Sequence, residues 1–484
     1  MNPFAGYGVV VSGERLVGRE RELLRLAERV FSGNGSISVV GMPKIGKTSL
    51  VSEAVRRHRI ARPGAAVVWL NLSTLNHSGQ LFPEVLSELS GELDDAEIAT
   101  VAETLLRDRA SAAEGFRACK RVLKGLKRAG RSATLVIDEF DAIRGFSDAN
   151  TVINQIRELL YRPSEYGLFG VLVSRRTLPS IEGQTENSVL HGVCEPLFLH
   201  PLSKKGLRSL LARAGEDASG VDELSELWSA TGGHPYLAEA WMNERYERGE
   251  REEYGAFGAV ASVLLDHYGY LAEILQEDDS LDQALQLAVG PRWSVRPGVA
   301  ERLRAYGILV MLETGWHAGW SEHFQLYLER LSRNAEIWDV WRETESGLRD
   351  LIEEVLGDAL GAEWLSKLAS QAPAVATKAE SWRSAREREQ RVFGDDTPRR
   401  LLDYSYPMEL WEVMAQRWAD FRGILGRDKA YWTERFGVIA KVRNPVAHNR
   451  EAVIPEATLT QARGYCQEIR ERLRTRAAAN GPSE

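Results

Sequence analysis

Short, continuous apolar runs alternate with helix-period stretches through the first half of the chain. Ser38-Val39-Val40, Ala65 to Leu72, Ala133 to Ile137 and Gly167 to Val173 are such runs, each bounded by Gly, Pro, Ser or Asp. Runs of this length and composition read as strands buried on both faces. Leu23, Leu24, Leu26 and Val30 recur at helical spacing, and helical stretches also fill about Leu81 to Lys127 and Asn150 to Tyr161. The alternation predicts an α/β domain with a parallel sheet covered by helices on both faces.

From about 197 to 331 the pattern is mainly helical, broken by a hairpin through Glu313-Thr314-Gly315-Trp316. Near Ser332-Arg333-Asn334 it changes to long helices without strand signals. Ile337, Trp338, Trp341, Leu348, Leu351, Ile352 and Val355 mark one, and Leu410, Trp411, Val413, Met414, Trp418 and Phe421 another. The polar, charged stretch from Ser370 to Thr397 between them reads as an excursion from the core. At 484 residues the chain has room for about three domains, and 44% apolar with 27% charged residues is a globular composition. The formal charge of -8 excludes a bulk nucleic-acid coat, so any such contact is a local patch. Cys119, Cys194 and Cys466 are too scattered for a zinc site. With no signal-like N-terminus and no long apolar span, they point to a cytoplasmic protein with buried thiols and no membrane contact.

The first candidate chemistry lies where the Ser38-Val39-Val40 run meets a helix. Gly41-Met42-Pro43-Lys44-Ile45-Gly46-Lys47-Thr48 fits G-x-x-x-x-G-K-[ST], with Ser49 following. In such a loop backbone N–H groups converge on phosphate oxygens, Gly41 and Gly46 allow close approach, Lys47 neutralises the β- and γ-phosphates, and the Thr48 hydroxyl is a ligand of Mg²⁺. The run ending at Ile137 leads into Asp138-Glu139, the Walker B pattern. Asp138 is the expected metal-side residue and Glu139 the general base. Ser174-Arg175 at the tip of the Gly167–Val173 run stands where a γ-phosphate is sensed.

These motifs, in this order, resemble the STAND and origin-recognition branches of AAA-type P-loop ATPases. The resemblance extends to Val17-Gly18-Arg19-Glu20, which implies that Arg19 covers the adenine side, and to Gly233-His234-Pro235, which implies a lid over the nucleotide with His234 and Pro235 near it. Lys44 and Ser49 complete the implied ATP or ADP site. The same family implies a winged helix after the lid; its helix from Pro297 to Leu303 carries few cations, which favours packing within the chain over DNA.

Arg443-Asn444-Pro445-Val446-Ala447-His448 closes the helical segment. Asn444 is a good N-cap and Pro445 suits a first helical position, so a helix start is expected here. An imidazole near neutral pKa can move the proton of a ribose 2′-OH while Arg443 stabilises the phosphate. The phrase is similar to the R-x(4-6)-H motif of HEPN ribonucleases, with further likeness at Glu345, Leu348, Arg349 and Trp418 to Phe421. That resemblance implies a metal-independent endoribonuclease acting on RNA, with Arg443, Asn444 and His448 catalytic in a homodimer or higher homo-oligomer; the RNA target is not legible, and transfer RNA is one candidate.

The expected order is therefore an ATPase core over 1–195, a helical lid over 196–250, a winged helix over 251–333, an all-α HEPN domain over 334–476 and a disordered tail over 477–484. The expected function is a nucleotide-controlled ribonuclease of microbial conflict whose trigger is read by a partner encoded elsewhere or by these domains. The competing readings are a DNA-binding ATPase scaffold with a non-catalytic dimerisation tail, and a switch that only holds ADP.

Overall fold

The structure, a computed structural model, describes residues 2–183, 190–214, 221–248, 256–290, 295–334, 339–394, 397–398, 400–443 and 455–479. It divides into two compact units: one of Met1–Trp228, Gly233–Asn243 and Ala305–Gly307, the other of Ser229–Gly232, Glu244–Arg304 and Ile308–Glu484.

In the first unit, β1 (Ser36–Gly41), β2 (Ala66–Asn71), β3 (Ala133–Asp138), β4 (Leu168–Ser174) and β5 (Cys194–Leu199) form one sheet in the order β2-β3-β4-β1-β5. Every pairing is parallel. All six residues of β1 are buried, as its near-continuous apolar run requires of a strand covered on both faces. Val40 pairs with Ser174 and Ile137 with Leu172, so the carboxyl ends of β1, β3 and β4 finish along one edge. In an open parallel sheet that edge is where ligands are held.

Strand β5 departs from the sequence reading, which took Leu197 to Ser203 as the approach to a helix and set the core–lid boundary at 195/196, inside this strand. Pro196 in a six-residue run argues against a central strand but not against an edge strand, which needs backbone donors on one side only. Here β5 is an edge, and Pro196 lies opposite Ser38 of β1.

In the second unit, helices Ala256–Glu277, Leu281–Ala288 and Val299–Ala305 precede a two-stranded antiparallel hairpin, β6 (Leu309–Met311) and β7 (His317–Gly319), and the helix Glu322–Asn334. This is the winged-helix arrangement, with Trp320 stacked on Phe324 at 3.8 Å and both rings against buried Tyr268. Beyond it every described element is helical. Asp339–Leu360, Trp364–Gln371, Pro373–Phe393, Pro407–Gln416, Trp418–Leu425, Lys429–Arg443 and Glu456–Ala479 share one core built on Ile352, Trp382, Trp411, Trp432 and Phe436.

Two expectations are corrected in this unit. The stretch 370–397 contains the helix Pro373–Phe393, whose buried face is Val375, Ala379, Trp382, Glu389, Val392 and Phe393. Apolar positions at i, i+4 and i+7 suffice for such a stripe, and the charges between them hid it. The Trp382 indole N–H donates to Glu409 at 3.0 Å, which ties this helix to the next. At the C-terminus, helix Glu456–Ala479 continues through 477–479, where a disordered tail was expected, and 480–484 lie outside the described residues. Ile337 and Trp338 also lie outside them.

Phe436 is fully buried and stacks on Trp411 at 5.3 Å. Phe436→Ala is expected to cost about 3–5 kcal/mol of helical-unit stability. Urea unfolding of the full chain, followed through the transition of that unit, measures it; a loss below about 1 kcal/mol would show that the ring is not part of the core.

Candidate functional site

The loop between β1 and the helix Lys47–Ala61 is shaped by three backbone constraints. A Cβ on Gly41 would come within 2.8 Å of the Leu199 carbonyl of β5, so only glycine fits. Gly46 caps the helix at φ 96°, in the left-handed region that glycine adopts without steric penalty. Lys44 sits at φ 54°, a conformation that costs a non-glycine residue of order 1–3 kcal/mol and concentrates at functional sites. Its ammonium lies 4.1 Å from the centre of the Tyr236 ring, at the start of the helix Pro235–Arg248.

Lys47 is buried and donates from Nζ to the carbonyls of Gly41 and Met42 at 3.0 and 2.9 Å. Burial pushes its ammonium down to about 8, against the opposing pull of Glu139, Asp141 and Asp138. The Thr48 hydroxyl donates to Asp138 Oδ2 at 2.9 Å. Together they are a pair of hard oxygen donors at the mouth of the loop, the set that suits Mg²⁺, an ion that takes few protein ligands and fills its shell from phosphate and water. Among the described residues no group of three or more His, Cys, Asp or Glu side chains forms a metal cage. Glu139 follows at φ 50° and lines the cleft.

That cleft, about 240 Å³, is lined on one side by Lys44 to Ser49 and Glu139 and on the other by Val9, Val10, Leu16, Val17, Pro235 and Tyr236. Its polar end is the phosphate loop and its apolar end suits a flat aromatic ring. The N-terminal segment forming the apolar wall is pinned along the loop helix. Val11 N–H donates to Ser49 Oγ at 3.1 Å and Gly13 N–H to Glu53 Oε2 at 2.7 Å. Ser49 and Glu53 are one helical turn apart, so they hold consecutive points of the segment. Glu53 is wholly buried and also takes Arg56 and Arg57. The Arg56 hydrogen bond above all, with Gly13 N–H and Arg57, holds its carboxyl down at about 2.

The remaining predicted residues fall into two groups. Arg19 lines the cleft, but its guanidinium donates to the His200 carbonyl at 2.8 Å and the Ile45 carbonyl at 3.1 Å, so it braces the loop against the end of β5. Burial lowers its pKa, with Glu22 opposing. His234 is wholly buried behind the loop, its Nε2 3.1 Å from the Pro43 carbonyl, and it does not line the cleft. With a carbonyl as partner, Nε2 carries the proton. Pro235 does line it. Ser174 and Arg175 are not among the lining residues either; the Ser174 hydroxyl donates to the Arg176 carbonyl at 2.6 Å. Asp141, which the sequence reading passed over, is buried and accepts from the backbone N–H groups of Arg175 at 2.6 Å and Arg176 at 3.0 Å.

In the helical unit, Arg443 is the last residue of helix Lys429–Arg443, while Asn444 and His448 lie outside the described residues. That helix is held by Trp432 and Phe436 inside and by Arg435, which pairs with Glu468 at 3.1 Å and lies over Tyr431. Arg349 donates to the carbonyls of Leu402 and Ser405 and to Glu345, which fastens the helix Asp339–Leu360 to the turn at 401–405.

Residues 16–240 match the family model described as an ATPase domain predominantly from Archaea, and residues 342–463 match that of Swt1-like HEPN. The chain thus joins an ATPase domain to a HEPN domain. Among solved structures it is similar to a Walker-type ATPase of Pyrococcus abyssi, at 16% identity and TM-score 0.50, covering 67% of this chain and 99% of that one. It also matches the ORC1 protein of Aeropyrum pernix solved in complex with DNA, at 18% identity, TM-score 0.36 and coverage of 67% and 94%. The ORC2 protein of the same organism matches at 14%, 0.39, 69% and 98%. The first likeness is one of fold, and the other two carry no weight for this chain. No curated protein matches it. No described helix is long and apolar enough to cross a membrane.

Glu53→Ala leaves the Gly13 N–H and two arginines without their acceptor, a loss of about 1–3 kcal/mol. Hydrogen exchange is expected to show faster amides at residues 9–13. The folded carboxyl is depressed, so its contribution is complete above the ordinary carboxylate range and is lost as pH falls through about 2. Protection of the wild-type segment should therefore be the same at pH 7 and pH 5.

Proposed function

We propose that the chain is an ATP-controlled endoribonuclease: a STAND-like ATPase switch that binds ATP or ADP with Mg²⁺ and governs a metal-independent HEPN ribonuclease. One observation carries this reading. A single chain has an ATPase domain whose Thr48 and Asp138 are hydrogen-bonded beside Lys47, and a HEPN domain whose matched span includes Arg443, Asn444 and His448.

In the ATPase, the loop N–H groups and Lys47 receive the β- and γ-phosphates, and the Val9–Val11, Leu16 and Tyr236 wall receives the base. Thr48 and Asp138 would hold the ion, which would supply positive charge against the phosphates. Glu139 orients the attacking water. In the HEPN domain, His448 takes the 2′-OH proton as O2′ attacks phosphorus, the P–O5′ bond breaks, the imidazolium returns the proton to the departing 5′-oxygen, and a 2′,3′-cyclic phosphate remains. Arg443 stabilises the charge at phosphorus and Asn444 sets the geometry between them.

The domain order in this reading is the ATPase core, a lid to about 250, a winged helix to about 333 and the HEPN domain to about 476. Two HEPN motifs meet in a homodimer or larger assembly in the cytoplasm. Nucleotide controls cutting to the extent that it binds the assembled state more tightly. A chain of this kind suits microbial conflict, such as defence against phage, with RNA as target and a partner supplying the trigger. The hairpin residues 309–319 contain no Lys or Arg, and Val310 and Met311 are exposed, which speaks against the wing as a DNA reader.

Total RNA incubated with the purified chain, with and without ATP, tests the reading. His448→Ala is expected to abolish cleavage and leave ATP hydrolysis within about twofold, whereas Lys47→Ala abolishes nucleotide binding and changes when RNA is cut. RNA loss that survives His448→Ala removes the nuclease assignment; DNA-stimulated turnover without RNA loss favours the scaffold. A second expectation follows from Lys47. Phosphate binds the charged ammonium, so ADP affinity should be flat below pH 8 and weaken as pH rises through about 8, and Lys47→Arg should flatten the profile. Calorimetric titration across pH 6.5–9.5 measures it.

A further inference from the structure

Where β4 ends, three consecutive backbone N–H groups leave the sheet, and each is met by a side chain from another element. Arg175 N–H donates to Asp141 Oδ2 at 2.6 Å, Arg176 N–H to Asp141 Oδ1 at 3.0 Å and Thr177 N–H to the Tyr306 hydroxyl oxygen at 2.8 Å. The Ser174 hydroxyl closes the turn on the Arg176 carbonyl. Such groups at a strand end are ordinarily met by water or by a following helix. Here a carboxylate only 5% exposed uses both oxygens on them. Burying a carboxylate is expensive unless it is fully hydrogen-bonded, and bonds of this charge-assisted kind are the strong ones.

Asp141 belongs to the turn Phe140–Gly145, two residues beyond Glu139, and Glu139 is itself held at φ 50° with its N–H on Asp138 Oδ1 at 2.9 Å. The same carboxylate therefore joins the exit of β3, which carries Asp138 and Glu139, to the exit of β4, which carries Arg175. Upstream the two strands are hydrogen-bonded neighbours only as far as Ile137 and Leu172, so past that point Asp141 replaces the ladder. Asp141 and Arg175 both act on the Lys47 ammonium, with opposite signs, which puts this clamp within electrostatic range of the phosphate loop.

We propose that Asp141 is a positioning residue for nucleotide hydrolysis, acting through the backbone of Arg175 to hold that arginine in fixed relation to Glu139. The inference rests on the ATPase reading above and deepens it. Asp141 is not among the residues lining the cleft. It makes the tips of β3 and β4 one rigid body, so that Glu139 in the cleft and Arg175, which acts on the Lys47 ammonium from outside the cleft lining, keep their separation when the cleft fills. A displacement of about 1 Å between such groups is enough to lower turnover on the order of 100-fold while leaving ground-state binding almost intact.

The test is a kinetic cycle on the full chain: wild type, Asp141→Asn, Arg175→Ala and the double variant, each with single-turnover ATP hydrolysis and ADP affinity. In Asp141→Asn one of the two acceptors becomes a donor facing a backbone N–H. The expected result is a fall in kcat of about tenfold or more with ADP affinity within about threefold, and a double variant no slower than the slower single. Exchange of the amides at 175 and 176 should quicken in Asp141→Asn with or without nucleotide. Tyr306→Phe removes one hydroxyl and keeps the ring beside Phe198, so it serves if Asp141→Asn fails to fold; a smaller fall in kcat is expected. Effects that multiply in the double variant, an unchanged kcat, or a change confined to KM would each overturn the inference. A wild-type chain that bound and hydrolysed no nucleotide would overturn the ATPase reading beneath it, whereas a wild type that turns over beside variants equal to it overturns the positioning role alone.

Discussion

The hydrogen bond from the Thr48 hydroxyl to the Asp138 carboxylate spans 90 residues of sequence, and most of the first unit is arranged so that it can form. It needs β1 and β3 parallel, with β4 between them, and it needs their carboxyl ends level. Right-handed crossovers between parallel strands supply the first condition. The register supplies the second, with Val39 opposite Val173 and Val136 opposite Val171. A slip of one residue in either pairing would turn every side chain to the other face and part the two oxygens. The buried apolar faces of these strands therefore do more than stabilise the sheet, because they fix the register that makes a site.

Around that bond the chain uses backbone groups where a looser site would use side chains. Arg19 and His234 are spent on the carbonyls of Ile45, His200 and Pro43, and Asp141 on the N–H groups of Arg175 and Arg176. Each of these polar side chains is buried, and each would destabilise the fold if its partner were lost. Their common effect is to stiffen the loop and the strand tips, beside a cleft whose lining includes Lys44, Lys47, Thr48, Glu139 and Tyr236. Preorganisation of this sort is what differential binding of a charged ligand requires.

Much of this was legible in the sequence because apolar continuity is a strong signal. Four of five strands and the loop could be read directly. Strand β5 was hidden by Glu195 and Pro196, residues tolerable because one edge of that strand pairs with no other described strand. Helix Pro373–Phe393 was hidden by its charges, since a stripe of five apolar positions on a long helix barely alters local composition. Asp141 was illegible for a different reason: an aspartate after a strand reads as solvated, and only the β3–β4 register brings the N–H groups of another strand tip to it. Arg19 and His234 were legible as important, but not as braces, because sequence marks a residue's presence near a site and not the direction of its side chain. On the helical side the motif from Arg443 to His448 was plain to read, although its later residues lie outside the described ones.

Within the ATPase unit the stiff and the soft parts can be told apart. The polar side chains around the loop are locked and the N-terminal wall is pinned at Val11 and Gly13, which leaves the Lys44–Tyr236 contact at the start of the helix Pro235–Arg248 as the softest of these ties. A phosphate in the loop would compete with the Tyr236 ring for the Lys44 ammonium, and charge–charge attraction is the stronger of the two at close range. The start of that helix, through Asn243, lies in the same compact unit as the loop. Stiff strand tips beside a contact as weak as a cation–π pair are the combination that the proposed switch would need.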